Sequence, residues 1–286
     1  MGLQTIIPLA VVVAVGWWFA GRHPQGRVLA DLAVGVAAPC LAFTLFLRMD
    51  WSDGSWVVLV GGACVVMAAT ALAGRLLFPW FAAPHRGVLL PIAFWNSGNM
   101  GLSVAELAFG EEALPAAAVV FVTVATAQAL LGTLWANGRD GLGVVVRMPL
   151  VHACLAGLVC SLLGVAPPAL LLRPLEMLAE LAVPLMLVSL GMQLRTLRAA
   201  NLRDGALVVA LRSGGGLLAA LAFVTLADVQ GLPRQLLLVE AVLPPAVINV
   251  LFAQRFGAAP DTVASSIVLG TLASVVTLPL VLTWVA

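Results

Sequence analysis

FWNSGNMGLSV, residues 94–104, places Asn96, Ser97, Gly98, Asn99 and Gly101 in the middle of an otherwise apolar run. Glycine lowers helix stability, and Asn and Ser prefer caps and turns. Inside hydrocarbon every freed backbone N–H and C=O needs a partner. A polar, glycine-rich stretch at this depth therefore predicts unwound backbone that lines a cavity. A second interruption, VLPPAVINV, occupies 242–250. Pro245 has no backbone N–H, and its ring disfavours a helical Pro244. Paired interruptions at corresponding places of two halves are the sequence sign of a transporter binding site.

The surroundings of these stretches are a membrane protein's. Of 286 residues, 62% are hydrophobic and 9% charged, against about 25% charged in a soluble domain. All 14 basic residues are Arg, there are 13 acidic ones, and the net charge is +1. This excludes a soluble enzyme, a disordered chain and a nucleic-acid binder, which needs a basic surface. No HExxH, nucleophile–His constellation or nucleotide loop is present, so no catalytic residue and no cofactor is expected. Cys40, Cys64, Cys154 and Cys160 lie in apolar runs without metal-ligand spacing and read as small buried thiols. The amino terminus lacks a basic leader and reads as a first span.

Apolar runs give ten expected spans: 3–20, 28–47, 55–77, 87–109, 113–136, 147–164, 169–193, 203–227, 234–256 and 262–285. Arg22, Arg27, Arg75, Arg86, Arg139, Arg147, Arg195, Arg198, Arg203 and Arg255 flank the loops after odd-numbered spans; only Arg48, Arg173 and Arg234 flank the others. By the positive-inside rule the odd loops face the cytoplasm and both termini lie outside a bacterial inner membrane. A polar break near 137–146 divides the chain into 1–140 and 141–286, five spans each. An odd number of spans per half makes any repeat an inverted one. Pro39 and Pro184 are 145 residues apart, as are Asn96–Asn99 and residues 241–244; Phe109-Gly110 and Phe256-Gly257 are 147 apart.

The segments NSGNMGLSVAELAFGEEAL (96–114), AVPLMLVSLGMQL (182–194) and EAVLPPAVINVLFAQRFG (240–257) resemble the auxin efflux carrier family, which includes plant auxin carriers and bacterial malonate or malate permeases. The resemblance covers nearly the whole chain. It implies an all-α carrier with crossed, broken spans 4 and 9, as in bile-acid and sodium–proton transporters. Spans 1, 2, 6 and 7 would form a scaffold that dimerises; spans 3–5 and 8–10 would form a transport domain moving as an elevator. The implied substrate is a small organic anion held by Asn96, Ser97, Gly98, Asn99, Gly101, Pro244, Pro245 and Asn249. Two departures stand out: Ser103 replaces a proline, and Gly214-Gly215-Gly216 replaces the proline that follows the span 8 arginine.

Glu106, Glu180, Arg212 and Glu240 are the ionisable residues within spans that call for a functional reading. Intramembrane charges are costly and default to functional hypotheses. Glu106 lies near the outer end of span 4. Glu240, four residues before Pro244, is placed to carry a proton or a coordinating oxygen. Glu180 and Arg212 are both near mid-depth and are expected to approach each other in one conformational state. The crossing itself is expected to hold amides, glycines and prolines and no charge. His152 is expected to pack neutral, His23 and His85 to lie in loops, and Trp17, Trp18, Trp135 and Trp284 to sit in interfacial belts. Coupling to H⁺, to Na⁺ or to nothing stays open, as does a cation antiporter on the same fold.

Overall fold

The computed structural model describes residues 2–22, 26–82, 85–135 and 141–285, and the regular structure among them is helical, without strands. His23 and Arg139, and the side chains of Arg27, His85, Arg86, Trp135 and Arg255, lie outside the described residues. Helix α1 is Gly2–Ala20, and α2 (Gly26–Leu32) runs through a π-helical stretch, Ala33–Ala37, into α3 (Ala38–Arg48). Then come α4 (Ser55–Leu76), α5 (His85–Ala93), a second π stretch (Ser97–Leu102), α6 (Ser103–Phe109), α7 (Leu114–Trp135) and the short α8 (Gly141–Val146). The second half holds α9 (Pro149–Leu162), α10 (Ala169–Glu180), α11 (Ala182–Thr196), α12 (Leu202–Val209), a third π stretch (Ala210–Gly215), α13 (Gly216–Leu226), α14 (Gly231–Ala241), α15 (Asn249–Phe256) and α16 (Pro260–Val285).

Six continuous helical runs among the described residues are long and apolar enough to cross a membrane: Val28–Arg48, Ser55–Leu76, Glu111–Gly132, Ala169–Thr196, Leu202–Leu226 and Pro260–Val285. At about 1.5 Å per residue they match a hydrocarbon layer about 30 Å thick. Two apolar helices, Gln4–Ala20 and Pro149–Leu162, are shorter. The segments at 85–109 and 231–256 are each broken in the middle.

The helices sort into two packed groups. In one, α1 lies on α11, and α3 lies on α9 and α10. In the other, α4 packs on α5, α7 and α13, while α12 packs on α16 and α13 on α14. Contacts of α1 with α16 and of α3 with α7 join the groups. Glycines set the closest approaches. A Cβ on Gly16 would lie 2.1 Å from the Val188 carbonyl oxygen, one on Gly191 would lie 1.9 Å from that of Val13, and one on Gly157 would lie 2.6 Å from that of Phe43. Lipid tails are as apolar as Leu, so close van der Waals contact through small residues drives such pairs.

Three of the arginines sit against tryptophans where α1 and α11 end and α12 begins. Arg22 stacks on Trp18 at 3.9 Å and Arg195 on Trp17 at 4.1 Å. Arg203 donates to the Trp80 carbonyl at 3.3 Å. Trp17, Trp18 and Trp284 are exposed, as a belt requires. Two expectations are corrected. Of the cysteines only Cys154 is buried, and Cys64 is exposed on an apolar outer face. His152 is exposed too, with Nδ1 at 3.0 Å from the Met148 carbonyl one turn back.

Candidate functional site

Helices α5 and α14 both stop short, and the chains that leave them cross. Trp95 and Pro245 lie side by side as an isolated antiparallel bridge. The Asn96 N–H donates to the Pro244 carbonyl at 2.9 Å, and the Ala246 N–H donates to that of Phe94 at 3.1 Å. Trp95 and Pro245 form the pair whose own N–H positions point away from the partner, so the proline costs this bridge no donor. Beyond the crossing, the Asn96 carbonyl accepts from both the Met100 and Gly101 N–H groups at 3.2 and 3.0 Å, which starts the π turn toward α6.

The broken helices leave carbonyls at their ends that no intrahelical donor satisfies. Arg212, fully buried in the third π stretch, reaches both ends. Its Nη1 donates to the Ile92 and Ala93 carbonyls at 3.3 and 3.2 Å, and its Nη2 donates to that of Ala241 at 3.0 Å. A guanidinium offers five N–H donors in a planar fork, and its charge suits two carboxyl-terminal dipole ends. The neighbouring Ser213 hydroxyl donates to the Val242 carbonyl at 3.2 Å. The glycine run explains how the arginine fits: a Cβ on Gly216 would stand 2.4 Å from Nη2 and 2.5 Å from the Ala241 oxygen.

The guanidinium also lies over the Trp95 ring, 4.5 Å from its centroid. On that indole's edge, Nε1 donates to Glu240 Oε2 at 2.6 Å. Glu240 is 2% exposed, and its Oε1 has no partner. That oxygen sits against Gly101, where a Cβ would be only 2.3 Å away. On the other flank Gln128 of α7 donates to Asn249 Oδ1 at 2.6 Å, and Asn249 Nδ2 donates to the Phe94 carbonyl at 3.1 Å.

The residues expected to form the site are thus brought together. Asn96, Ser97, Gly98, Asn99, Gly101, Pro244, Pro245 and Asn249 all belong to the crossing or to the turn leaving it. Asn249 is buried and holds the crossing closed, and Pro244 supplies a carbonyl to it. Asn96 has a buried Nδ2 without a partner, whereas Asn99 and Gly98 are half-exposed. Ser103, in the proline's place, donates its hydroxyl to the Asn99 carbonyl at 2.8 Å.

One charge expectation is corrected. The crossing is not free of charge, since Arg212 and Glu240 are buried against it. In this conformation Arg212 and Glu180 do not meet: Arg212 is held at the helix ends, while Glu180 is exposed on α10. Sequence reading passed over Trp95 and Gln128; the signal for Gln128 was a lone amide in the apolar run of α7.

Residues 144–282 match a family described as membrane transport protein. An uncharacterized transporter of Methanothermobacter thermautotrophicus is 29% identical over 97% of this chain and 96% of its own. A second uncharacterized transporter, from Methanocaldococcus jannaschii, is 24% identical over 97% of each chain. The chain is thus similar to membrane transport proteins, through its second half in the family match and along nearly its whole length in both relatives.

In this multi-pass membrane protein a cavity of about 740 Å³ runs between α1, α3, α10 and α11 on one side and α6 and α7 on the other. Its charged lining residues are Arg48, Arg173, Glu106, Glu111, Glu176 and Glu180. Arg48 pairs with Glu176, which also faces Arg173 at 3.5 Å. A second cavity, about 260 Å³ and mostly apolar, lies between α1, α11 and α16, with Met100 of the broken segment and Thr271 on its wall. Among the described residues no three His, Cys, Asp or Glu side chains converge as a metal set.

Proposed function

We propose that this transporter is a secondary carrier of small organic anions, of the malonate, malate or auxin type, with its site at the crossing. The observation that carries this is the crossing itself: two interrupted helices stitched by main-chain hydrogen bonds, with Asn96, Ser97, Gly98, Asn99 and Gly101 on the turn that leaves it. Arg212 occupies the carboxyl-terminal helix ends. The amino-terminal ends of the segments that follow then present N–H groups and a positive dipole toward a carboxylate.

Ten spans in two inverted five-span repeats, 1–140 and 141–286, are part of this reading. The packing supports it pair by pair. Contact of α1 with α11 corresponds to that of α9 with α3; α4 on α7 corresponds to α12 on α16, and α4 on α5 to α13 on α14. Helices α1, α2–α3, α9 and α10–α11 would be the scaffold, joined to a second copy, and the rest an elevator domain. The larger cavity lies between these two parts, as an open conformation requires. The arginine–tryptophan end would be cytoplasmic and the termini outside the plasma membrane. The charged lining of the cavity then faces outward with four carboxylates against two guanidinium groups, which favours release of an anion over its capture. An inside-negative membrane adds about 2.3 kcal/mol per charge per 100 mV in the same direction.

Flux of labelled malonate, malate and indole-3-acetate in proteoliposomes, with and without pH and Na⁺ gradients, tests the reading. Saturable movement of one carboxylate is expected; silence for all three would sink the substrate class. A cation antiporter on the same fold is favoured by one observation, the buried Glu240 carboxylate at the crossing. It would show Na⁺-driven proton movement without any carboxylate.

A further inference from the structure

Glu240 is the one buried carboxylate at the crossing, and its surroundings are built unevenly. Oε2 accepts from the Trp95 indole at 2.6 Å, and Oε1 accepts from nothing. Trp95 belongs to one broken segment and Glu240 to the other, so this hydrogen bond spans the crossing. The nearest cation, Arg212, stands over the face of that indole with its Nη donors given to three carbonyls. No other ionisable group faces the carboxyl among the described residues. Helices α7 and α13 contain none. Helix α4 contributes Cys64 and Arg75, both exposed, and α16 has Asp261 in its first turn, exposed. On α14 itself Arg234 lies in the first turn, well over a helical turn away.

With Glu240 ionised, its charge and that of Arg212 balance around the indole, and an arriving carboxylate would be an uncompensated buried anion, which costs several kcal/mol. With Glu240 neutral, the charge of Arg212 is available to that anion. We propose that Glu240 is the proton-binding site of the carrier: Oε1 takes up one proton as a substrate carboxylate enters the crossing and gives it up as the carboxylate leaves. One proton and one anionic charge then cross together. Gly101 leaves the room in which Oε1 stays bare, since a side chain there would strike it. This inference rests on the crossing being the substrate site.

The test has two arms, on purified full-length protein and on proteoliposomes. Infrared difference spectra between about pH 5 and about pH 9 are expected to show a protonated-carboxyl band that Glu240→Gln abolishes. Trp95→Phe, which keeps the carboxyl and removes its donor, is expected to move the midpoint of that band by about one pH unit. Malonate flux in the wild type is expected to change up to about tenfold per pH unit, and Glu240→Gln to flatten that response. A band untouched by both substitutions, or a flux whose pH response survives Glu240→Gln, overturns the proton site while the carrier reading stands. A titrating band lost in Glu240→Gln, with no carboxylate moved, leaves the proton site standing and overturns the carrier reading. Should Glu240→Gln fail to fold, Trp95→Phe alone decides: an unmoved midpoint overturns the proposal.

Discussion

At the scale of single residues, the crossing depends on where side chains are absent as much as on where they are present. Gly216→Ala puts a methyl 2.4 Å from the Arg212 fork and against the Ala241 carbonyl that the fork caps. It is expected to destabilise the protein by about 1–3 kcal/mol. Gly214→Ala, two positions earlier, meets nothing within 4 Å and is expected to be neutral or mildly stabilising, by up to about 1 kcal/mol. Thermal unfolding in detergent, followed by fluorescence-detected size exclusion, separates the two. The Gln128–Asn249 pair makes a second comparison. Gln128→Leu leaves the Asn249 amide oxygen buried without its donor, at a cost of about 1–3 kcal/mol. Asn249→Leu also removes the donor to the Phe94 carbonyl and should cost more by the same measurement. Equal losses would mean that the bond to Phe94 contributes little.

At the scale of helices, α1 and α11 touch backbone to backbone because Gly16 and Gly191 face each other's chains. Gly191→Ala would push a methyl into the Val13 carbonyl and is expected to separate the pair by a few tenths of an ångström, destabilising by about 1–3 kcal/mol. Gly61→Ala on α4, whose nearest neighbour would be a Phe223 ring atom at 3.7 Å, serves as the silent control. The helices and both breaks were legible in the sequence because their causes are local: apolar length, a polar glycine-rich turn and a proline pair. The destination of Arg212 was not. Counting residues gives a side chain's depth, but its direction around the helix depends on the π turn at Ala210–Gly215, which no pattern of apolar residues announces. Hence the sequence suggested Glu180 at similar depth, while the folded chain turned the guanidinium to two helix ends. Gln128 was missed for a related reason: a single amide in an apolar run marks a buried partner without saying which one.

At the scale of the whole molecule, the two ends differ in chemistry and should differ in access. In a chain freed of its four cysteines, Asp53→Cys and Glu180→Cys are expected to react with an impermeant thiol reagent from outside intact cells. Arg198→Cys should react only after permeabilisation, and labelling of all three from one side would refute the orientation. Glu180→Gln lightens the acidic lining of the larger cavity and is expected to speed entry of malonate from that side severalfold, an effect that added salt should erase. The bridge between Trp95 and Pro245 adds a mechanical consequence. Two main-chain hydrogen bonds, the indole–carboxyl bond and the Arg212 fork tie the broken helices together at one point. Sliding either helix alone would strand buried donors and acceptors at about 1–3 kcal/mol each, so the crossing behaves as a weld rather than a hinge. Whatever moves in this protein must carry both broken helices as one piece, and the yielding surfaces must lie elsewhere, along faces such as those that line the larger cavity.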